Sequence, residues 1–187
     1  MQPAVKPKSP PRRIFVDYKD PNVLHHFGPL VLAQWQIPRV LRQGFAAIGR
    51  TSPSPVNGHM LIDTGATATC ISEEAARDLG LHPVGLQMGF GAGGEHQNPV
   101  FHALLILGIC DPKKGTTVLG AEQRVQAIPK LEESFRRMDV RDGNGNPVRL
   151  IGLLGRDFLR HTKFTYDGHG NFEVIVRLDT LGAISVS

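Results

Sequence analysis

Asp63-Thr64-Gly65-Ala66 is the stretch of this chain best equipped for chemistry. The run His59-Met60-Leu61-Ile62 has the length and apolar ending of a buried strand, and it delivers an Asp onto a turn where Gly65 allows a sharp change of direction. A carboxyl at the end of a buried strand is poorly solvated. It needs hydrogen-bond donors, a cation, or a second carboxyl with which to share a proton. Thr64 and the amides of the turn are the nearest donors.

Other chemistries find less support. His25 and His26 have no Cys or carboxylate at ligand spacing, so they are expected to be solvated or capping residues and no metal is expected. The glycine cluster in residues 87–97 (QMGFGAGGEHQ) lacks the Lys-Ser/Thr of a phosphate-binding loop and is followed by a strand-like run rather than a helix. In the Asp142-Gly143-Asn144-Gly145-Asn146-Pro147 segment, Pro147 replaces the Gly of a calcium loop and Leu153 stands where its bidentate Glu belongs, so a turn is expected. No Gly-x-Ser-x-Gly elbow and no His-Glu-x-x-His pair is present. No cofactor is expected.

The elements that must position Asp63 follow from periodicity and turn chemistry. Residues 14–18 and 29–37 have strand character, the second with Val31, Ala33 and Trp35 on one face. Residues 39–50 carry apolar side chains at helical spacing. Asn57-Gly58 predicts a tight turn leading into the strand that ends at Asp63. After the Asp turn, Thr67 to Ile71 is a β-branched run. Residues 72–80 then predict a helix, with Ser72 as N-cap, Glu73 and Glu74 in the first turn and Gly80 at the C-terminal stop. Residues 87–101 predict a hairpin with a glycine tip, Phe101 to Ile109 a buried strand, Val125 to Ile128 a strand and residues 130–138 a short helix. Residues 163–166 and 172–176 form a further hairpin by their alternation, and residues 177–187 can add a strand.

The chain of 187 residues, 41% hydrophobic and 20% charged, suits one folded domain at residues 14–187. No apolar run approaches the length of a membrane span. The net charge of +4 is carried entirely by Lys6, Lys8, Arg12 and Arg13, in a Pro-rich segment without acids. Residues 1–13 are therefore expected to be a disordered basic tail, not a secretory signal. With 6% aromatics and no basic stripe beyond the tail, no nucleic acid partner is expected. Cys70 and Cys110 make no disulfide framework. Free thiols in a cytoplasmic protein are the preferred reading, with a single bridge as the other possibility.

A third segment completes the pattern. Leu150-Ile151-Gly152-Leu153-Leu154-Gly155-Arg156-Asp157 is an apolar run that enters a Gly and then a helical turn, roughly ninety residues after the Asp turn. Asp63-Thr64-Gly65-Ala66, the glycine hairpin and this segment, in this order, resemble the retropepsin-like (retroviral-type) aspartic proteases, in their single-motif form with a bacterial-type character. The resemblance spans residues 29–176. It implies an all-β fold with one or two short helices, a closed acid-protease barrel, and half an active site per chain.

It further implies an aspartic endopeptidase whose partners are a polypeptide substrate and a second copy of itself. Asp63, Thr64 and Gly65 would be catalytic. Ala66, Thr67, the flap residues Gly91, Ala92, Gly93 and Gly94, and the wall residues Ile151 and Leu153 would contact substrate. Two facing Asp63 carboxyls would share one proton, one activating a water and the other polarising the peptide carbonyl. Ala66, where relatives with Ser gain a donor to the carboxylate, implies activity at milder acidity.

Two departures from the family pattern stand out. Thr67 occupies the place of an Asp that pairs with the Arg at position 156, which leaves Arg156 to Asp157 or to a backbone carbonyl. Residues 38–55 and 108–147 are longer than the pattern allows. The other reading is a catalytically silent module of the same fold that dimerises or binds peptides.

Overall fold

The computed structural model describes residues 12–14, 21–91, 94–111, 115–142, 145–167, 172–176 and 184–186. In chain order its elements are β1 (Arg12–Ile14), α1 (Pro21–Phe27), β2 (Leu30–Gln36), α2 (Arg39–Ala47), β3 (Val56–Ile62), β4 (Cys70–Ser72), α3 (Glu73–Asp78), β5 (Gly85–Gly91), β6 (Gly94–Asp111), β7 (Gly115–Ile128), α4 (Leu131–Arg136), β8 (Leu150–Leu154), α5 (Arg156–Leu159), β9 (Thr162–Tyr166), β10 (Phe172–Val176) and β11 (Ile184–Val186). The fold is mainly β, as expected, with more helices than the expected one or two. All five helices among the described residues are short, the longest having nine residues.

Six strands close a barrel. β2 pairs β3, β3 pairs β8, β8 pairs β4, β4 pairs β7, β7 pairs β6, and β6 returns to β2. The β3–β8 and β4–β7 pairs are parallel and the others antiparallel. Closure hides the strand edges that an open sheet would expose. Val31, Trp35, Met60, Ile71, Leu105, Leu107, Ile151 and Leu154 form part of the fully buried core. The Trp35 indole donates to the Ile151 carbonyl at 3.2 Å, so its polar edge is satisfied inside the core. A smaller cluster of Val23, Leu30, Phe135, Val140, Val148 and Leu150 packs with α1 and α4.

Several local expectations hold. Ser72 Oγ accepts from the Ala75 amide at 3.0 Å and Gly80 takes φ +63°, so α3 starts and stops where its caps dictate. The β9–β10 hairpin forms, and β11 adds to β7. The extra length in residues 38–55 contains α2. That in residues 108–147 extends the β6–β7 pair and adds α4.

Two expectations change. Asn57-Gly58 is not a turn but lies within β3, opposite Gln34 and Ala33. A Cβ on Gly58 would come within 2.5 Å of Ile151 Cγ2 and 2.7 Å of the Arg149 carbonyl. This glycine permits close strand approach rather than a reversal. Strand pairing also begins before residue 14, because Arg12 and Arg13 pair in β1 with β10. Residues 1–11 of the expected tail lie outside the described residues.

An ionic network centred on the buried Glu132 ties together α3, α4 and the residue that precedes β8. Glu132 is 4% exposed. Its carboxylate accepts from Ser72 Oγ at 2.6 Å and from Arg149 Nε at 2.7 Å, while Arg149 Nη2 also reaches Asp78 at 2.6 Å. Ser72 therefore caps α3 and satisfies a buried charge together. Ser72→Ala is expected to lower stability by about 2 kcal/mol, more than an ordinary cap loss, because a buried carboxylate loses a donor. Urea unfolding checks this, and an unchanged midpoint would show the cap to be dispensable.

Candidate active site

β3 ends at Ile62, and its parallel neighbour β8 continues the strand geometry one step further, since the Asp63 amide donates to the Leu154 carbonyl at 3.0 Å. The chain then turns. Asp63 Oδ1 accepts from the Gly65 amide at 2.8 Å and the Ala66 amide at 3.2 Å. The donors expected of the turn are thus its amides. Asp63 is half-buried, Thr64, Gly65 and Thr67 are exposed, and Ala66 is half-buried. The carboxylate is oriented by the amides of its own loop.

The segment that follows β8 locks this loop from below. Gly155 lies against Ala68, where a Cβ would come within 2.4 Å of the Ala68 carbonyl carbon. The amides of Arg156 and Asp157 donate to the Ala66 and Thr67 carbonyls at 2.9 and 3.2 Å. The Arg156 guanidinium donates to the Thr64 carbonyl at 3.0 Å, the Gly65 carbonyl at 3.3 Å and Thr67 Oγ1 at 3.0 Å. Of the two partners expected for Arg156, the backbone carbonyl is the one observed. Thr67 Oγ1 is a neutral acceptor where the resemblance implies an Asp.

Asp157 is instead committed to Thr69. Its Oδ1 accepts from the Thr69 amide, from Thr69 Oγ1 and from the Phe158 amide, each at 2.8 Å. Thr69 Oγ1 in turn accepts from the Gly155 amide at 3.2 Å. Thr69 is 1% exposed, so this hydroxyl is a built part of the loop's support. Sequence reasoning missed Thr69. Its one signal was a β-branched polar residue expected in a strand interior, opposite an Asp at a helix start.

The other expected site residues are placed unevenly. Leu153 pairs with Leu61 and is half-buried. Ile151 is fully buried in the barrel core, against Gly58. Gly91 and Gly94 pair at the end of the β5–β6 hairpin, with Gly94 at φ +101°. Ala92 and Gly93, its expected tip, lie outside the described residues. Val84, just before β5, and Leu86 and Met88 within it leave an alternating apolar row 56%, 67% and 44% exposed.

Cys70 closes the loop's far end, with its thiol donating to the Ala68 carbonyl at 3.3 Å. Burial, then the nearby Asp157 and Asp63 carboxylates, push this thiol up from 9.0 to about 11. It is a neutral, free thiol at physiological pH and no nucleophile. Alkylation of Cys70 at pH 8, followed by mass spectrometry, is expected to run about 100-fold slower in the folded protein than in the unfolded chain. The sign for stability follows. Below pH 9 the thiol is neutral in both states. Between pH 9 and about 11 only the unfolded chain ionises, so stability falls as pH rises through that window. Equal alkylation rates in the two states would contradict this.

Residues 53–103 match the family model described as aspartyl protease. The matched region holds β3, the Asp63 turn, α3, the β5–β6 hairpin and the entry to the barrel part of β6. No curated protein matches the chain. The match supports an aspartyl protease, with a polypeptide as its substrate class.

Proposed function

We propose that this protein is an aspartic endopeptidase that works as a homodimer, each copy supplying one Asp63. The observation that carries the proposal is the Asp63 loop itself. A half-buried carboxylate is aimed by the Gly65 and Ala66 amides, and its loop is fixed by Gly155, Arg156 and Asp157. One such carboxylate is half of a catalytic pair. A twofold axis beside the exposed Thr64-Gly65 edge brings a second one against it.

In that pair one proton is shared, because two adjacent carboxylates cannot both ionise cheaply. The ionised Asp63 takes a proton from a water held between the two. The protonated partner donates to the carbonyl oxygen of the scissile peptide as the water attacks its carbon. The amine then leaves with a proton returned through the pair. Thr64, Gly65, Ala66 and Thr67 hold the peptide backbone beside the carboxylates. Leu153, the face of β5 and the glycine tip at residues 91–94 cover the substrate side chains, with Ile151 supporting from beneath. Closing this hairpin excludes water from the charged intermediate. The reaction needs no cofactor, and the protein works in the cytoplasm. The test is digestion of an unbiased peptide mixture at several pH values from about 4 to 7, read by mass spectrometry. Reproducible internal cuts support the endopeptidase. A folded dimer that makes none is the silent module instead.

A further inference from the structure

Helix α2 has no buried residue, although its sequence is amphipathic. Val40, Leu41 and Ile48 are 68%, 48% and 67% exposed, and Gly44 lies between them on the same helical face. Of its apolar side chains, Phe45 packs partly against the barrel core. A nine-residue helix is marginal in water on its own, and burying its apolar stripe is the usual source of stability. Here that stripe faces outward.

Charge and position narrow the occupant. Residues 21–62 contain no Asp or Glu, and contain Arg39, Arg42 and Arg50. Arg39 leans on Glu122 of β7, while Arg42 and Arg50 are exposed. The helix joins the end of β2 to the start of β3, whereas Asp63 follows the opposite end of β3. Those seven strand residues put roughly 20 Å between the start of β3, on the side where α2 connects, and the Asp63 turn. A second copy that meets this one at Asp63 therefore leaves α2 uncovered.

We propose that α2 docks the protein on an anionic lipid surface. Val40, Leu41 and Ile48 sink to the headgroup boundary, and the arms of Arg42 and Arg50 reach the lipid phosphates. A protein groove is the poorer fit. Protein interfaces are anchored by Trp, Tyr and Arg in matched pockets. This face offers aliphatic side chains on an exposed helix, which need no shape match. Docking here keeps the Asp63 loop clear of the membrane.

The test is flotation of the full-length protein with phosphatidylcholine vesicles, pure or with about one quarter phosphatidylglycerol. Binding to the anionic vesicles alone is expected. Leu41→Ser with Ile48→Ser should weaken it about tenfold, and Arg42→Gln with Arg50→Gln about 30-fold, from roughly fivefold per arginine. Both variants change exposed side chains, so melting temperature and peptide cleavage should stay as in wild type. Lys6→Gln with Lys8→Gln should retain most of the binding. Absence of flotation would overturn the proposal, and so would flotation lost in the Lys6/Lys8 variant but kept in both α2 variants. If Leu41→Ser with Ile48→Ser instead halves the mass in sedimentation without affecting flotation, α2 is an interface between copies.

Discussion

Asp63→Asn is expected to abolish peptide cleavage, by about 1,000-fold or more, while leaving the fold intact. Asn matches Asp in shape, and its side-chain oxygen can still accept from the Gly65 and Ala66 amides that orient Asp63. The loop below is untouched, since its contacts run through Arg156, Asp157 and Thr69. What is lost is the ability to hold and release a proton. A pair of Asn residues cannot remove a proton from water, so all cuts dependent on the pair vanish together. Cuts that persist in the variant with the same sequence preference would place the chemistry elsewhere.

The second large effect is on stability. Gly155→Ala is expected to cost about 3 kcal/mol and most of the activity. The added Cβ meets the Ala68 carbonyl carbon at 2.4 Å, the Ala68 oxygen at 2.5 Å and the Thr69 nitrogen at 2.8 Å. All three are backbone atoms, so relief requires moving the loop that carries Asp63. The backbone of Gly155 is extended, at φ −87° and ψ −178°, so the penalty is steric and not conformational. Gly44→Ala supplies the control of opposite sign. Its Cβ meets nothing within 4 Å in an exposed helix, and it should stabilise by about 0.5–1 kcal/mol. Urea unfolding of the two variants separates the effects. A Gly155→Ala midpoint equal to wild type would mean that the loop is not seated as described.

Much of this architecture was legible because its determinants are local. Ser72, Glu73 and Gly80 announce α3 through cap and dipole chemistry within nine residues. The alternation in residues 163–176 announces its hairpin in the same way. Asn57-Gly58 was misread because glycine has two uses. It permits a turn, and it permits two strands to approach, and only the partner Ile151, far along the chain, tells which applies. The Glu132 network was invisible for the same reason. Glu132, Ser72, Arg149 and Asp78 are unremarkable charges and hydroxyls until β4, β8 and α4 are placed together. The Asp63 turn and the Gly155-Arg156 segment, both singled out in the sequence, are brought together by the fold. The role of Thr69 was not legible, because it depends on which acceptor the fold presents to its hydroxyl.

The central claim is that one active site requires Asp63 from two copies. Mixing wild type with an equal amount of the Asp63→Asn chain, after subunit exchange at fixed total concentration, tests it directly. If both copies must contribute, mixed dimers are dead and activity falls to about a quarter of the pure wild type, as expected for random twofold pairing. If each chain carries a complete site, activity falls only to about half. The first result is the one the proposed shared site predicts, and the second would contradict it.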